Sequence, residues 1–357
     1  MSDEKSKISE LSKHGYALIK EAKFDEAASL FNEIMTYDEE NNYALVGLGD
    51  IERKRKNYEG AIEYYKRCIA FHPGNKYALI GLADCYRALR QYRKAIDIWE
   101  KYLNQDEQDV TILTRVADAF RKVKEFDKSR EIYLKVLELD KDNPYALTGL
   151  GYLYFDLKDY RSALEYWERM YRRDPGNIKV LTSLGNCHRK LKTFDQGLEY
   201  FKKALEIEPD NFYALFGMAD CYRGLNEHEK SLKYWLRILE LDPKNKVIMT
   251  RVGDAYRNLG DYERAEEYYR RALNIEFDMY AVLGLALINK ENKDYLKAIE
   301  SLSGLLANDP KNPRLYLEIA ECYLALDQKE KARETLARYM RLGIKNTAIS
   351  RMYDEIK

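Results

Sequence analysis

YALIGLADCYR at residues 77–87 recurs as YALFGMADCYR at residues 213–223, and weaker copies of this pattern follow one another every 34 residues. Each copy carries a small residue at its eighth position, and only the step to the ninth copy is 33 residues long. These small residues are Gly15, Gly49, Ala83, Ala117, Gly151, Gly185, Ala219, Gly253, Ala286 and Ala320. A period of this length predicts helical hairpins that bury their apolar faces against neighbouring hairpins.

Ten blocks of this pattern cover residues 8–346, and each has the spacing of two amphipathic helices. The blocks start at Ile8, Asn42, Lys76, Val110, Pro144, Ile178, Phe212, Lys246, Met279 and Pro313. In the seventh block Leu215, Met218 and Tyr222 form an apolar stripe at helical period. Turn signals such as DPKN at residues 242–245 separate the blocks, because proline stops one helix near the start of the next. The pattern predicts one continuous all-α array.

The two ends of the chain differ from the blocks between them. Residues 1–7 are polar, and we predict a disordered tail there. Residues 347–357 place Ile349 and Met352 on one helical face and charged residues on the other. This composition predicts a C-terminal capping helix that covers the last hairpin.

The order of residues within a block resembles the tetratricopeptide repeat (TPR), which has small residues at positions 8, 20 and 27 and large aromatic residues at 11, 17 and 24. The eighth block shows this order as Gly253, Tyr256, Tyr262, Ala265, Tyr269 and Ala272. The resemblance implies a right-handed superhelical α-solenoid. It also implies that positions 2, 5, 6, 9, 12 and 13 of each block line a concave groove made by the first helices.

An acidic or amide residue at position 9 precedes an arginine at position 12 in six of blocks two to eight. The pairs are Asp50/Arg53, Asp84/Arg87, Asp118/Arg121, Asn186/Arg189, Asp220/Arg223 and Asp254/Arg257. Residues three apart share a helix face, so the pairs could act only to stabilise their own helix by about 0.2–0.5 kcal/mol. Arginine also binds carboxylates in a bidentate manner, so the same residues could form a ladder of contacts to a peptide. Both interpretations stay open at this level.

Aromatic residues add candidate anchors to the predicted groove. Position 2 carries Tyr43, Tyr77, Tyr145, Tyr213 and Tyr280. Tyrosine offers a large contact area with a polar tip, although these rings could instead fasten each block to the preceding turn. The fifth block has Tyr152 and Phe155 where other blocks carry the charged pair. These two residues predict an aromatic binding patch, unless a neighbouring helix covers them.

Position 15 departs from the family pattern, which often has glycine there. Six blocks carry a cation instead: Lys56, Arg90, Lys124, Lys158, Lys192 and Lys293, whereas the eighth block has Gly260. A cation near a helix C-terminus complements the helix dipole by about 0.3–1 kcal/mol. This interpretation accounts for the cations, and an acid-binding basic ridge is the alternative.

Composition and motifs argue against chemistry performed by the chain itself. Sixty basic and sixty acidic residues cancel, which disfavours a general nucleic-acid binder, and no apolar run reaches the length of a membrane span. The five cysteines fall at positions where other blocks carry alanine, so we expect small core residues, not disulfides or a metal site. No nucleotide-binding, metalloprotease or hydrolase motif occurs. We predict a cytoplasmic, non-enzymatic protein without cofactor or metal.

The predicted function is a scaffold that binds a peptide segment of a partner protein in the concave groove. Candidate contacts are Tyr77, Asp84, Arg87, Asp118, Arg121, Tyr145, Tyr152, Phe155, Arg189, Tyr213, Asp220, Arg223, Asp254 and Arg257. Position 5 carries apolar residues or threonine, so the lysine-based carboxylate clamp of chaperone adaptors is not matched. The alternative is a structural subunit that self-assembles through end or edge contacts. RNA binding is disfavoured because aspartate alternates with arginine and repels phosphate.

Overall fold

The computed structural model describes residues 2–356, with side chains from residue 4 onward, and 21 α-helices lie within that range. The helices form consecutive antiparallel hairpins, and strands are absent from the described residues. The chain divides into two compact units, Met1–Asp174 and Pro175–Lys357, which are described separately below.

The first unit contains five hairpins. Its helices are α1 Ser2–Lys20, α2 Phe24–Tyr37, α3 Asn42–Lys54, α4 Tyr58–Phe71, α5 Lys76–Ala88, α6 Tyr92–Leu103, α7 Val110–Lys122, α8 Phe126–Leu139, α9 Pro144–Asp156 and α10 Tyr160–Arg173. Within the unit each helix packs on the next, and every hairpin therefore shares its core with its neighbours.

The second unit contains five hairpins and one further helix. Its helices are α11 Ile178–Lys190, α12 Phe194–Ile207, α13 Phe212–Gly224, α14 His228–Leu241, α15 Lys246–Asn258, α16 Tyr262–Ile275, α17 Met279–Glu291, α18 Tyr295–Asn308, α19 Pro313–Ala325, α20 Lys329–Met340 and α21 Thr347–Glu355. From the second to the tenth hairpin, the first helix begins at the residue where the sequence block begins.

An asparagine or aspartate precedes each of these first helices and caps it. The side chain accepts hydrogen bonds from one or two amides of the first turn, as Asn143 does from the amides of Tyr145 and Ala146 at 3.1 and 3.0 Å. Such a cap contributes about 1 kcal/mol to a helix, because it satisfies amides that have no partner within the helix. The caps of the second to fifth hairpins are Asn41, Asn75, Asp109 and Asn143. Those of the sixth to tenth are Asn177, Asn211, Asn245, Asp278 and Asn312.

Position 15 ends the first helix of every hairpin in a left-handed conformation. Lys56 has a φ of 63° and Lys158 has a φ of 62°, and only the eighth hairpin has glycine here, Gly260 with a φ of 80°. The Asn57 amide donates to the Glu52 carbonyl at 2.9 Å, and the Lys56 amide donates to the Arg53 carbonyl at 3.1 Å. This arrangement is the Schellman motif, which favours glycine. The cations at position 15 thus occupy a strained position, which the interpretation from the helix dipole did not anticipate.

Two kinds of junction between hairpins follow from the residues at positions 6 and 24. Position 6 is glycine in α3, α5, α9, α13 and α17, and each of these helices packs directly on the preceding first helix within its unit. At Gly149 an added Cβ would lie under 3.0 Å from the ring of Tyr133, which occupies position 24 of the preceding hairpin. Where position 6 is charged, at Arg115, Arg251 or Glu318, the two first helices pack less closely. A gap that polar side chains can fill therefore opens between them.

The N-terminal segment differs from the prediction of a disordered tail over residues 1–7. The structure continues α1 back to Ser2, and Met1 lies outside the described residues. Lys7 explains part of this order, because its Nζ lies 2.8 Å from the Glu33 carboxylate and donates to the Tyr37 hydroxyl at 2.7 Å. Contacts with α2 thus order a polar stretch that has no apolar periodicity of its own.

At the other end α21 covers the last hairpin. Ile349 is buried, and Met352 and Ile356 pack on the core of α18–α20. Lys357 of the predicted capping segment lies outside the described residues. All five cysteines are buried and free. Among the described helices, none is long and apolar enough to cross a membrane.

Candidate peptide-binding surfaces on the first helices

The position-2 tyrosines are the most exposed of the predicted site residues. Tyr77, Tyr145 and Tyr213 have exposed fractions of 65%, 73% and 67%, and Tyr43 and Tyr280 are similarly open. Rings this exposed do not fasten the hairpins together, so the alternative role as packing residues loses its support. They are available for contact with another molecule.

A cavity of about 1140 Å³ lies beside Tyr43 and Tyr77 in the first unit, and we call it the N-terminal pocket. The first three hairpins provide its walls, with Lys5, Ser12, Lys13 and Tyr16 contributed by α1. The Tyr16 hydroxyl donates a hydrogen bond to the carbonyl oxygen of Tyr43 at 3.0 Å, and burial raises the pKa of Tyr16. The pocket therefore combines aromatic walls with lysine ammonium groups at its margin.

Ser12 in the N-terminal pocket carries a hydroxyl that lacks a hydrogen-bond partner among the described residues, although the side chain is buried. Buried polar groups are hydrogen-bonded in most proteins, because an unsatisfied group loses its interaction with water. This hydroxyl is therefore an unsatisfied polar group in the wall of the pocket.

The position-9 and position-12 residues form ion pairs, several of which link one hairpin to the next. Within one helix, Arg121 pairs with Asp118 at 2.9 Å and Arg223 pairs with Asp220 at 2.6 Å. The Arg87 guanidinium lies 3.5 Å from the Asp84 carboxylate. The sequence predicts pairs of this kind, and part of the ladder does stabilise its own helices.

The links between hairpins are contacts that sequence reasoning missed. Arg189 on α11 pairs with Asp220 on α13 at 2.5 Å, and Arg121 on α7 pairs with Asp156 on α9 at 2.7 Å. The side chains of Arg121 and Arg189 are only 11% and 17% exposed. Both arginines therefore serve mainly as ties between neighbouring hairpins, and they have little surface left for a ligand.

Arg115 also escaped prediction, although position 6 was assigned to the groove. Its guanidinium lies 2.8 Å from Asp84 of the preceding hairpin, across a junction without glycine. The signal was present in the sequence, because position 6 is glycine in some blocks and a larger polar residue in the others. Its meaning depends on how closely the helices approach.

Asp220 shows the electrostatic effect of these ties. Burial alone would raise the pKa of its carboxyl group, but Arg223 and Arg189 outweigh burial and lower the pKa below the ordinary value. Because the folded state favours the charged form, this carboxylate stabilises the fold at neutral pH.

Asp254 behaves in the opposite way. Burial raises the pKa of its carboxyl group, and this effect exceeds those of the Tyr269 hydroxyl and of Arg251 and Arg257. The Tyr269 hydroxyl donates to Asp254 at 2.8 Å, and Arg251 lies 3.7 Å away. The position-9 carboxylate is thus held by a tyrosine at position 24, as Asp50 is held by Tyr65 in the second hairpin.

The aromatic residues of the fifth hairpin are half-buried against their own second helix. The ring of Tyr152 lies 4.9 Å from that of Trp167 in an edge-to-face contact, and Phe155 contacts Tyr160 at 5.2 Å. The Arg121 guanidinium lies over the Tyr152 ring at 5.6 Å. These contacts favour burial over an open aromatic patch.

A second cavity, of about 330 Å³, opens on the first helices of the second unit, and we call it the arginine pocket. Four of its lining residues are Arg223, Arg251, Arg257 and Arg314, and Asp254 is the one carboxylate among the lining residues. The pocket brings together three predicted residues, Arg223, Asp254 and Arg257. Arg251 and Arg314 were missed, because one lies at position 6 and the other replaces a tyrosine at position 2.

The repeat family follows from comparison of the whole sequence with known families. Models of the tetratricopeptide repeat match residues 12–76, 114–178 and 250–313, residues 52–114 and 290–343, residues 178–211, and residues 210–275. The matches of a single model already cover more than half of the chain. The chain belongs to the tetratricopeptide repeat family.

One solved structure supports this fold, and two others match shorter parts of the chain. A tetratricopeptide repeat protein from Parabacteroides merdae is 15% identical, with a TM-score of 0.52 over 79% of this chain and 98% of that chain. MamA is 24% identical over 47% of this chain and 92% of that chain, with a TM-score of 0.44. YrrB, described as having an unusual peptide-binding site, is 24% identical over 52% of this chain and 95% of that chain, with a TM-score of 0.45. A search of curated proteins found no match.

Proposed function

We propose that this protein is a non-enzymatic scaffold that binds a peptide segment of a partner protein on the exposed face of its first helices. The row of exposed position-2 tyrosines carries the proposal. Tyr43, Tyr77 and Tyr145 expose more than half of their surface on the first helices α3, α5 and α9 of one unit. Tyrosine is enriched at binding surfaces, and these rings recur at one repeat position while they remain open to solvent.

The N-terminal pocket supports a peptide as the ligand. Its volume of about 1140 Å³ exceeds that of most small-molecule sites, and it combines aromatic walls with lysines. Tyr43 and Tyr77 would contact apolar side chains of the peptide.

The arginine ties narrow the predicted set of contact residues. Because Arg121 and Arg189 are committed to neighbouring carboxylates, we assign them to the stability of the array. Arg87 and Arg223 keep nearly half of their side-chain surface, and they remain candidates for contact with the peptide. Family membership supports a binding role over a catalytic one, and the cytoplasm remains the proposed location.

Selection from a random 12-residue peptide library displayed on phage tests the proposal. Peptides that bind the wild type are synthesised with a fluorophore, and their affinities are measured by anisotropy. A variant with Tyr43→Ala, Tyr77→Ala and Tyr145→Ala should bind at least tenfold more weakly the peptides that dock on the first unit. The reason is that truncation of a hot-spot ring costs more than about 1 kcal/mol of binding free energy.

The matched control is Leu134→Ala, which removes an exposed apolar side chain from the second helix α8 of the same unit. It should bind within twofold of the wild type. Failure to select any peptide, or equal affinity of the tyrosine variant and the control for every peptide, contradicts the proposal. Light scattering on the same samples tests the self-assembly alternative, which requires a particle mass that rises with concentration.

A further inference from the structure

The arginine pocket of the second unit has a strong excess of positive charge for its size. Four guanidinium groups and one carboxylate line about 330 Å³, whereas the whole chain has equal numbers of basic and acidic residues. Charge concentrated in a small cleft with apolar walls attracts a counter-ion more strongly than the same charge on a flat surface. The pocket is therefore complementary to an anionic group.

The charges inside the pocket are only partly neutralised by their neighbours. Arg223 pairs with Asp220, and Arg314 lies 3.6 Å from Glu318, so these two guanidinium groups have internal partners. The Arg251 guanidinium lies 3.7 Å from the Asp254 carboxylate, a longer distance than in the pair of Arg223 and Asp220. Asp254 in turn accepts from the Tyr269 hydroxyl, and this carboxylate cannot balance the remaining arginines.

The Arg257 guanidinium keeps one nitrogen without an acceptor in the described part of the chain, as that of Arg121 does in the first unit. The Arg257 Nε is buried and lacks a hydrogen-bond partner among the described residues. An unsatisfied guanidinium nitrogen is costly, because the group has lost water without gaining an acceptor. Arg257 lines the pocket, so an oxyanion placed there would lie close to a positive charge that shares Asp254 with Arg251.

The walls of the pocket suggest what carries the oxyanion. Leu283 and Leu287 of α17 line it together with Tyr280, whose ring is exposed. Because the whole chain has equal numbers of acidic and basic residues, the positive charge of the pocket is local. A single acidic side chain next to an apolar residue fits the pocket better than a continuous polyanion such as RNA.

We infer that the arginine pocket binds an aspartate or glutamate side chain of the partner peptide, held by Arg223, Arg251 and Arg257, with an adjacent apolar residue against Tyr280. Arginine suits this role because its planar fork can donate two parallel hydrogen bonds to one carboxylate. The inference rests on the proposed function and adds a specificity to it. A peptide bound by the second unit must carry an aspartate or glutamate side chain that enters the arginine pocket.

The test is a second selection from the random 12-residue library. Phage are first depleted on a variant with Arg223→Gln, Arg251→Gln and Arg257→Gln, and then captured on the full-length wild type. The surviving peptides should each carry an aspartate or glutamate at a shared position. Survivors without a shared acidic residue, or no survivors, overturn the inference while leaving peptide binding by the first unit intact. If the wild type selects no peptides even without depletion, the proposed function itself fails.

A double-mutant cycle then assigns the contact to the pocket. Replacement of the shared acidic residue by its amide should weaken binding to the wild type at least tenfold, but binding to the triple variant less than twofold. The control variant carries Arg264→Gln, Arg270→Gln and Arg271→Gln on α16, which removes the same charge outside the pocket lining. It should bind within twofold of the wild type, and equal losses in the two variants overturn the inference.

Two further measurements keep the result interpretable. Arg257→Gln alone leaves the carboxylate contacts of Arg223 and Arg251 in place, so this variant should fold even if the triple variant does not. It should still weaken acidic peptides at least threefold, and unchanged binding overturns the inference. An eight-nucleotide oligouridylate serves as the RNA probe, and tighter binding of this probe than of the peptides would also overturn it.

Discussion

Replacement of the left-handed lysines by glycine is expected to stabilise the first unit. Lys56, Lys124 and Lys158 each end a first helix with φ between 62° and 64°, and the side chains are exposed. A left-handed conformation costs an L-residue about 1–2 kcal/mol, because Cβ approaches the following carbonyl oxygen. Glycine avoids this cost, but it loses about 0.5–1 kcal/mol more backbone entropy on folding.

The charge of these lysines works against the substitution. A cation near the C-terminus of an exposed helix contributes about 0.3 kcal/mol at the lower end of the known range. Each Lys→Gly change should therefore stabilise the fold by about 0.5 kcal/mol once strain, entropy and charge are combined. The three sites lie in different hairpins, so the triple variant should gain about 1.5 kcal/mol.

A matched triple variant with Lys→Gln at the same three positions separates strain from charge. Glutamine keeps the strained backbone and removes only the cation, so a loss of about 1 kcal/mol is expected. Gly260→Lys is the reverse experiment in the second unit, where φ is 80° and an added Cβ would meet open space. It should destabilise by about 0.5 kcal/mol, because the same balance of strain, backbone entropy and charge is reversed and no steric clash is added.

Urea unfolding followed by circular dichroism at 222 nm measures the change for each variant. Hydrogen exchange of α9 and α10 gives a local measure for Lys158, since long repeat arrays can unfold in parts. If the glycine and glutamine variants lose the same stability, charge at the helix end governs position 15. The argument from left-handed strain would then be wrong.

Three further predictions follow from packing, charge and burial. Gly149→Ala should destabilise by about 1–3 kcal/mol in urea unfolding, because the new methyl group meets the ring of Tyr133, and a neutral effect would show that the junction relaxes. Asp220→Asn should cost about 2 kcal/mol at pH 7, because Arg189 and Arg223 lose a charged partner. Since the folded pKa of Asp220 is lowered, its contribution to stability is present above the ordinary value of 3.8 and is lost as pH falls through the folded pKa. A stability difference between the wild type and Asp220→Asn that stays constant from pH 7 to pH 2 would contradict this. Burial raises the pKa of all five cysteine thiols, to about 12 for Cys187. A thiol reagent at pH 8 should therefore react with them only after unfolding. Rapid reaction of the native protein would refute their position in the core.

Much of the fold could be predicted because its signals are local and repeat. An asparagine or aspartate cap, a small residue at position 8 and an aromatic residue at position 24 recur in the blocks, and their spacing marks both helices. Where one block departs from the pattern, the neighbouring blocks still show the period. The polar start of the chain has no such repetition, and contacts of Lys7 with α2 decide its structure.

The candidate site was predictable only in part. Position-2 residues such as Tyr77 lie exposed, which agrees with a place on the first-helix face. The sequence could not show which position-12 arginines pair with a neighbouring hairpin and which stay available to a ligand. The Arg121 guanidinium, for example, pairs with both Asp118 and Asp156, which lie on different helices. Sequence spacing reports neighbours on one helix and says nothing of which side chain the next hairpin presents.

The amino-acid sequence alone determined the family, the helical hairpins and the starts of their first helices, because capping, periodicity and small-residue positions act within one block. Tertiary structure decided how closely successive first helices approach, and through that distance which arginines are tied to a neighbour and which line a pocket. The physical reason is that ion pairing and burial depend on separation in space. Glycine at position 6 lets two first helices pack closely, whereas Arg115, Arg251 or Glu318 there keeps them further apart.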